Sequence, residues 1–134
     1  PIDLKNTIEE LMIQFEEIFQ DKELNVSYAL EEKVISASPY LVDILLNNLL
    51  GNAIRHNYTG GKMDISLDKD KLVIRNTGDD SALQQDVIFK RFNKSSGSEG
   101  SGLGLTISKQ ICENLGFGLN YSFEDHYHTF TVKF

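Results

Sequence analysis

Asn48 and Asn52 stand four residues apart in the stretch Asn48-Leu-Leu-Gly-Asn52-Ala53-Ile-Arg55-His56. That spacing stacks both amides on one face of a helix. Asparagine is a weak helix former, so the pair asks for a reason. A solvated polar face is one reading. The other is a ligand, because the Asn52 side-chain carbonyl is the hard oxygen that Mg²⁺ takes alongside waters and phosphate oxygens. Arg55 and His56 follow by three and four residues and place donors near the same face. A second candidate is Gly100-Ser101-Gly102-Leu103-Gly104-Leu105, which runs straight into a helical pattern. Glycines let backbone N–H groups approach an anion, and a helix N-terminus adds partial positive charge. Flexible linkers share that glycine content but have no need of alternating leucines. A third is Asn76-Thr77-Gly78 at the end of an apolar run, which in isolation reads as a turn.

The elements that must hold these residues follow from periodicity. Residues 5–20 place Ile8, Leu11, Met12, Phe15, Ile18 and Phe19 at helical spacing. Short strands are predicted at 25–30 and 33–36. Ser38-Pro39 then predicts a helix start, with Ser as N-cap and Pro at the first helical position, running to about Asn57. Its apolar stripe is expected at Leu41, Ile44, Leu45, Leu49 and Ala53. Residues 62–67 and 71–75 read as a hairpin closed by Asp68–Asp70. A small-residue loop leads from Asn76 to Gly102. A helix is expected at 103–115, stopped by Gly116, and strands at 118–124 and 128–134. Such interleaved hairpins exclude a doubly wound parallel sheet. They predict one α/β domain with a mixed sheet and helices on one face.

Composition sets outer limits. With 134 residues, 40% hydrophobic and 25% charged, the chain is expected to be a single soluble domain with a buried core. It starts at Pro1 without Met and reads as a piece of something longer. The single cysteine, Cys112, has no internal disulfide partner and reads as a small buried residue. A net charge of −7 argues against binding nucleic acid or anionic lipid. Between Val87 and Lys109, however, Lys90, Arg91, Lys94 and Lys109 outweigh Glu99, a local +3 suited to a small anion. His126 and His128 near the last strand lack the further ligands a metal site needs.

Taken in order, an asparagine box (Asn48 to Asn52), a strand-end box (Asn76 to Gly78), Phe89-x-x-Phe92 and the glycine loop at 100–105 resemble one family. That family is the catalytic and ATP-binding domain of sensor histidine kinases, within the superfamily that includes gyrase, the ninety-kilodalton heat-shock chaperone and mismatch-repair ATPases. The Phe-x-x-Phe box favours the kinases. The resemblance implies a two-layer α/β sandwich of the Bergerat type with a long ATP lid at residues 79–101, anchored by Phe89 and Phe92. It implies ATP and Mg²⁺ as ligands, with Asn52 on the metal and Asn48 near the phosphates. Arg55 and His56 would contact phosphate or ribose, Asn48, Asn52 and Arg55 forming the catalytic set. Asn76 stands where the family has Asp to accept from the adenine amine, and Gly78 lets the backbone pass beneath the base. Lys94, Gly100, Ser101, Gly102, Leu103, Gly104 and Leu105 would surround the phosphates.

The chain departs from the family's Asp-x-Gly-x-Gly at Asn76 and at Asp80. An amide oxygen still accepts from the amine, but without charge assistance, at about 1 kcal/mol or five- to tenfold in affinity. The resemblance further implies transfer of the γ-phosphoryl group to a histidine on a separate helical dimerisation domain, which this chain lacks. A response regulator would be served indirectly. The setting would be the cytoplasmic part of a membrane-anchored sensor, and the isolated domain would be monomeric. Two alternatives are a degenerate nucleotide-binding or protein-contact module and a serine kinase of the anti-sigma type. The basic, serine-rich lid is expected to be mobile and to close over the triphosphate.

Overall fold

The computed structural model describes residues 1–78 and 103–134, apart from the Leu103 side chain. A short strand β1 (Ile2–Asp3) leads into helix α1 (Leu4–Gln14). The Asp3 side chain caps that helix by accepting the Asn6 N–H at 3.2 Å. Leu4, Ile8, Leu11 and Met12 form its buried face. The single helix expected over 5–20 is interrupted at Phe15 (φ −88°, ψ −2°), whose N–H turns to the carbonyls of Leu11 and Ile13. Helix α2 (Glu16–Asp21) follows, and the Phe15 and Phe19 rings meet across the break at 6.1 Å. Strand β2 (Asn25–Leu30) and the two-residue β3 (Val34–Ile35) come next, β3 pairing antiparallel with β1.

Helix α3 (Pro39–Arg55) starts at the proline, as the sequence predicts. Ser38 is extended at the N-cap but makes no side-chain capping bond, so the fixed φ of Pro39 sets the start. The buried stripe also differs from expectation. Val42, Leu45, Leu46, Leu49, Leu50, Ala53 and Ile54 are buried, while Ile44 is 41% exposed. Apolar residues cover more than one face of α3, and packing decides which face turns inward.

Five strands make the main sheet in the order β2-β4-β5-β7-β6, with β4 Lys62–Leu67, β5 Lys71–Thr77, β6 Gly118–Glu124 and β7 Tyr127–Lys133. Strand β2 is parallel to β4, which requires the crossover that α3 supplies; the other pairs are antiparallel. The β4–β5 hairpin turns at Asp68, whose Oδ1 accepts from the N–H groups of Asp70 and Lys71 at 2.8 and 2.9 Å. Strand β5 runs past the expected Arg75 because β7 pairs with it throughout, setting Asn76 opposite His128 and Thr77 opposite Tyr127.

Met63, Ile65, Leu67, Leu72, Ile74, Leu119, Phe130 and Val132 bury one sheet face against α1, α3 and helix α4 (Leu103–Leu115). On the opposite face Arg75 reaches Asp64 at 3.6 Å and lies over the Tyr127 ring at 4.1 Å. The result is the expected mixed-sheet, two-layer α/β arrangement. Cys112 is fully buried on α4, and burial pushes its thiol up to about 11, so it stays protonated. Among the described residues no helix is long and apolar enough to cross a membrane.

A polar knot ties the end of α3 to the sheet. Thr77 Oγ1 donates to Asn57 Oδ1 at 2.7 Å and accepts the Lys62 N–H at 2.9 Å, while Asn57 Nδ2 donates to the Lys62 carbonyl at 2.9 Å. Gly61 packs against this knot. A Cβ there would collide with Asn57 Oδ1 and lie 2.6 Å from Thr77 Oγ1. Gly61→Ala is therefore expected to destabilise the fold by about 2 kcal/mol, since buried partners must part. Denaturant titration checks this, and an unchanged midpoint would show that the knot yields freely.

Candidate functional site

Asn48, Asn52 and His56 recur at four-residue intervals and so share one face of α3. Asn48, at one end, donates from Nδ2 to the Gly104 carbonyl at 3.2 Å, and Ser108 Oγ donates to the same carbonyl at 2.8 Å. The asparagine box and the helical end of the glycine loop are therefore in contact. His56, at the other end, caps α3, and its carbonyl abuts Gly78. Asn52 lies between them, 4% exposed. Arg55 is exposed, with its guanidinium beside Gly51.

Cations gather at this C-terminal end of α3. Lys22 Nζ donates to the Ile54 carbonyl at 2.7 Å, where the helix dipole favours positive charge. Burial first, and then Arg55, His128 and Lys22, hold the His56 imidazole below its ordinary value, so it is neutral at pH 7. A bound polyanion would reverse that electrostatic bias.

The strand end presents the clearest unmet need. Asn76 is 1% exposed, and its Nδ2 donates to the Thr77 carbonyl at 2.8 Å. Its Oδ1 is the one buried side-chain acceptor among the described residues with no partner. Leaving such an acceptor unmet costs about 1–3 kcal/mol. An amine donor would relieve that cost, so the residue present fits the base that the resemblance implies. Gly78 beside it is wedged, because a Cβ would lie 2.5 Å from the His56 carbonyl oxygen and 3.3 Å from His128 Cδ2.

Of the residues singled out from sequence, Asn48, Asn52, His56, Asn76, Gly78 and Gly104 are brought together along α3 and the end of β5. Leu103 and Leu105 begin α4, with Leu105 half-buried against the core. Asp80, Phe89, Phe92, Lys94, Gly100, Ser101 and Gly102, and with them the lid, lie outside the described residues.

Residue type and spacing alone give no structural role to Asn57, Tyr121 or His128. Asn57 resembles loop but anchors the knot. His128 is buried, 4% exposed, bonded through Nδ1 to Tyr121 Oη at 2.7 Å and flanked by the Phe123 ring at 4.7 Å. Alternation on the last two strands marks His128 and Tyr121 as inward-facing, but their pairing depends on register. His126 sits apart in the preceding turn, at φ 69°.

The chain is similar to known proteins in sequence and in fold. Residues 38–134 match the family described as histidine kinase-, DNA gyrase B- and HSP90-like ATPases. The sensor protein kinase PmrB of Pseudomonas aeruginosa is 33% identical over 126 residues, covering 88% of this chain but only 26% of PmrB. The solved catalytic domain of histidine kinase ThkA superposes with a TM-score of 0.84 at 23% identity, covering 98% of this chain and 91% of that one. Full-length ShkA, solved in complex with AMPPNP, superposes with a TM-score of 0.83 at 19% identity, covering 99% of this chain and 30% of ShkA. With the family's profile spanning most of the chain and a sensor kinase above 30% identity, this chain belongs to the histidine kinase-, DNA gyrase B- and HSP90-like ATPase family, as an ATP-binding domain of the histidine-kinase kind.

Proposed function

We propose that this domain binds Mg-ATP along the 48–52–56 face of α3 and donates the γ-phosphoryl group to a histidine on a separate helical domain of a longer parent protein. The observation that carries the reading is the unpartnered, buried Asn76 Oδ1 at the far end of that face. The structure of ShkA with AMPPNP gives the same fold a nucleotide precedent. Adenine would dock at Asn76 and Gly78, and the triphosphate would extend along α3 toward the N-terminus of α4. There the dipole of the helix and the contact between Asn48 and Gly104 fix the approach. Asn52 would hold Mg²⁺, which when bound neutralises phosphate charge. Arg55 and His56 would face phosphate and ribose, and Lys94, Gly100, Ser101 and Gly102 would complete the enclosure. The protein's share of the chemistry is positioning and electrostatic stabilisation, with the nucleophile brought from outside.

None of the three histidines suits the acceptor role. His128 is buried against Tyr121, His56 is wedged at Gly78, and His126 sits in a turn between strands. The experiment is phosphoryl transfer from γ-labelled ATP, with and without the parent's helical domain supplied in trans. Label is expected on that domain alone, labile in acid and stable in alkali. Stable label on His56, His126 or His128 would refute the reading, and acid-stable label would favour a serine kinase. The same proposal places the domain in the cytoplasmic part of a membrane-anchored sensor, serving a response regulator through the phosphorylated histidine.

A further inference from the structure

We infer that the groove between α1, α2 and strand β2 is a docking site for a basic amphipathic helix of a partner protein. Among the described residues β2 is an edge strand, paired with β4 alone. Val26 and Tyr28 stand opposite Met63 and Ile65, so they belong to the inward face of the sheet. Met63 and Ile65 are fully covered, yet Tyr28 is 57% exposed. The helical layer therefore stops short of this edge. What remains is a cavity of about 360 Å³ floored by Met12, Phe19, Val26 and Tyr28. Ile13 lines it from α1 and is 71% exposed. An apolar hollow bounded by two helices and the inner face of a strand is where a further helix packs. An added strand would extend β2 sideways and leave the hollow uncovered.

Charge selects the occupant. Glu9 and Glu16 line the groove, no basic residue does, and neither carboxylate has an ion-pair partner among the described residues. Residues 1–32 hold nine acidic residues against Lys5 and Lys22, a net −7. The whole chain also carries −7, so residues 33–134 are neutral in sum. The groove thus lies in the segment that carries all of the chain's excess charge. A helix with Lys or Arg beside an apolar stripe meets both features. Its apolar side chains fill the hollow, and its cations reach Glu9 and Glu16. A second copy of this chain does not, because two such segments face to face set like charges against each other. None of these residues belongs to the nucleotide site proposed above, so the inference stands apart from that reading.

The chain contains no tryptophan, so a tryptophan on a probe peptide reports its own burial. The probe is a helical peptide of about 18 residues of leucine and lysine, with leucines at i, i+3, i+4 and i+7 and one Trp on that stripe. Its emission is expected to shift to the blue on adding the chain, with a Kd of about 10 μM or tighter at low salt. Glu9→Gln combined with Glu16→Gln is expected to weaken binding about five- to tenfold. Ile13→Ser and Tyr28→Ser are each expected to weaken it by about the same factor. All four side chains are exposed, so the melting temperature should hold. A peptide of the same composition with its leucines spread around the helix is expected to bind at least about tenfold more weakly, and one with Glu for Lys not at all. If the spread peptide bound equally well, or the substitutions left affinity unchanged, the attraction would be diffuse charge and the inference would fail. Self-association of the chain that Tyr28→Ser abolished would overturn it in favour of a second copy. A peptide bound in extended form, read from its infrared amide band, would overturn it in favour of a strand.

Discussion

Asn52→Ala is expected to abolish the Mg²⁺-dependent part of nucleotide affinity and to slow phosphoryl transfer by about 100-fold or more, or about 2.7 kcal/mol. Asn52 is the middle member of the 48–52–56 series. Its neighbours one turn away touch Gly104 on one side and Gly78 on the other. A nucleotide bridging those two ends must pass Asn52. Alanine preserves the helix, since it is the better helix former, and removes only the amide. The comparison that isolates the role is the ratio of ADP affinities with Mg²⁺ and with chelator. The unmodified chain should show a large ratio and the variant a ratio near one. If both proteins kept the same ratio, the metal would be held elsewhere. If both forms of affinity fell together with a lowered melting temperature, Asn52 would be a packing residue only. Asn48→Ala should behave differently, because its amide is committed to the Gly104 carbonyl. Its main effect belongs to the junction between α3 and α4.

How much of this could be read from the residues alone depended on whether the deciding interaction was local. Pro39 fixes a helix start through its own φ, and Asp68 closes a hairpin through bonds two and three residues away, so both features were legible. The interleaving of hairpins with helices was enough to exclude a doubly wound sheet. Features set by packing were not legible. Ile44 and Leu46 are equally apolar, and only the packing of α3 against its neighbours decides that Leu46 is buried and Ile44 exposed. The break at Phe15 involves no proline or glycine, so the sequence carries no sign of it.

The site divides in the same way. The boxes at 48–52, 76–78 and 100–105 can be found by residue type and spacing. That Asn76 stands opposite His128 is a matter of register between strands about fifty residues apart in sequence, and no local rule supplies it. Asn57 and Thr77 show the same limit. Each looks like a turn residue, and together they form the knot that sets the height of the strand end against α3. Asn76, and His128 opposite it on the next strand, are residues whose surroundings need the fold.

Gly78→Ala is the complementary experiment, because it leaves every polar group of the pocket in place and changes only the space. Gly78 is buried between the end of α3 and strand β7. An added Cβ would lie 2.5 Å from the His56 carbonyl oxygen and 3.3 Å from His128 Cδ2. The first neighbour is backbone at a helix cap and cannot rotate away. The second is an imidazole pinned by Tyr121. The strand end must therefore move by several tenths of an ångström, and Asn76 moves with it. The strain is expected to cost about 1–3 kcal/mol of stability, as overpacking of a filled interior does. Nucleotide affinity should fall by a further factor of about ten or more, because a shifted Asn76 no longer meets the amine while its oxygen stays buried. Thermal melting and ADP calorimetry on the same sample separate the two effects. A lower melting temperature with unchanged affinity would mean that the base docks away from Gly78, on a surface that does not feel the strand end. Unchanged melting with lost affinity would mean that the pocket closes by direct occlusion, with the methyl group standing where the base belongs.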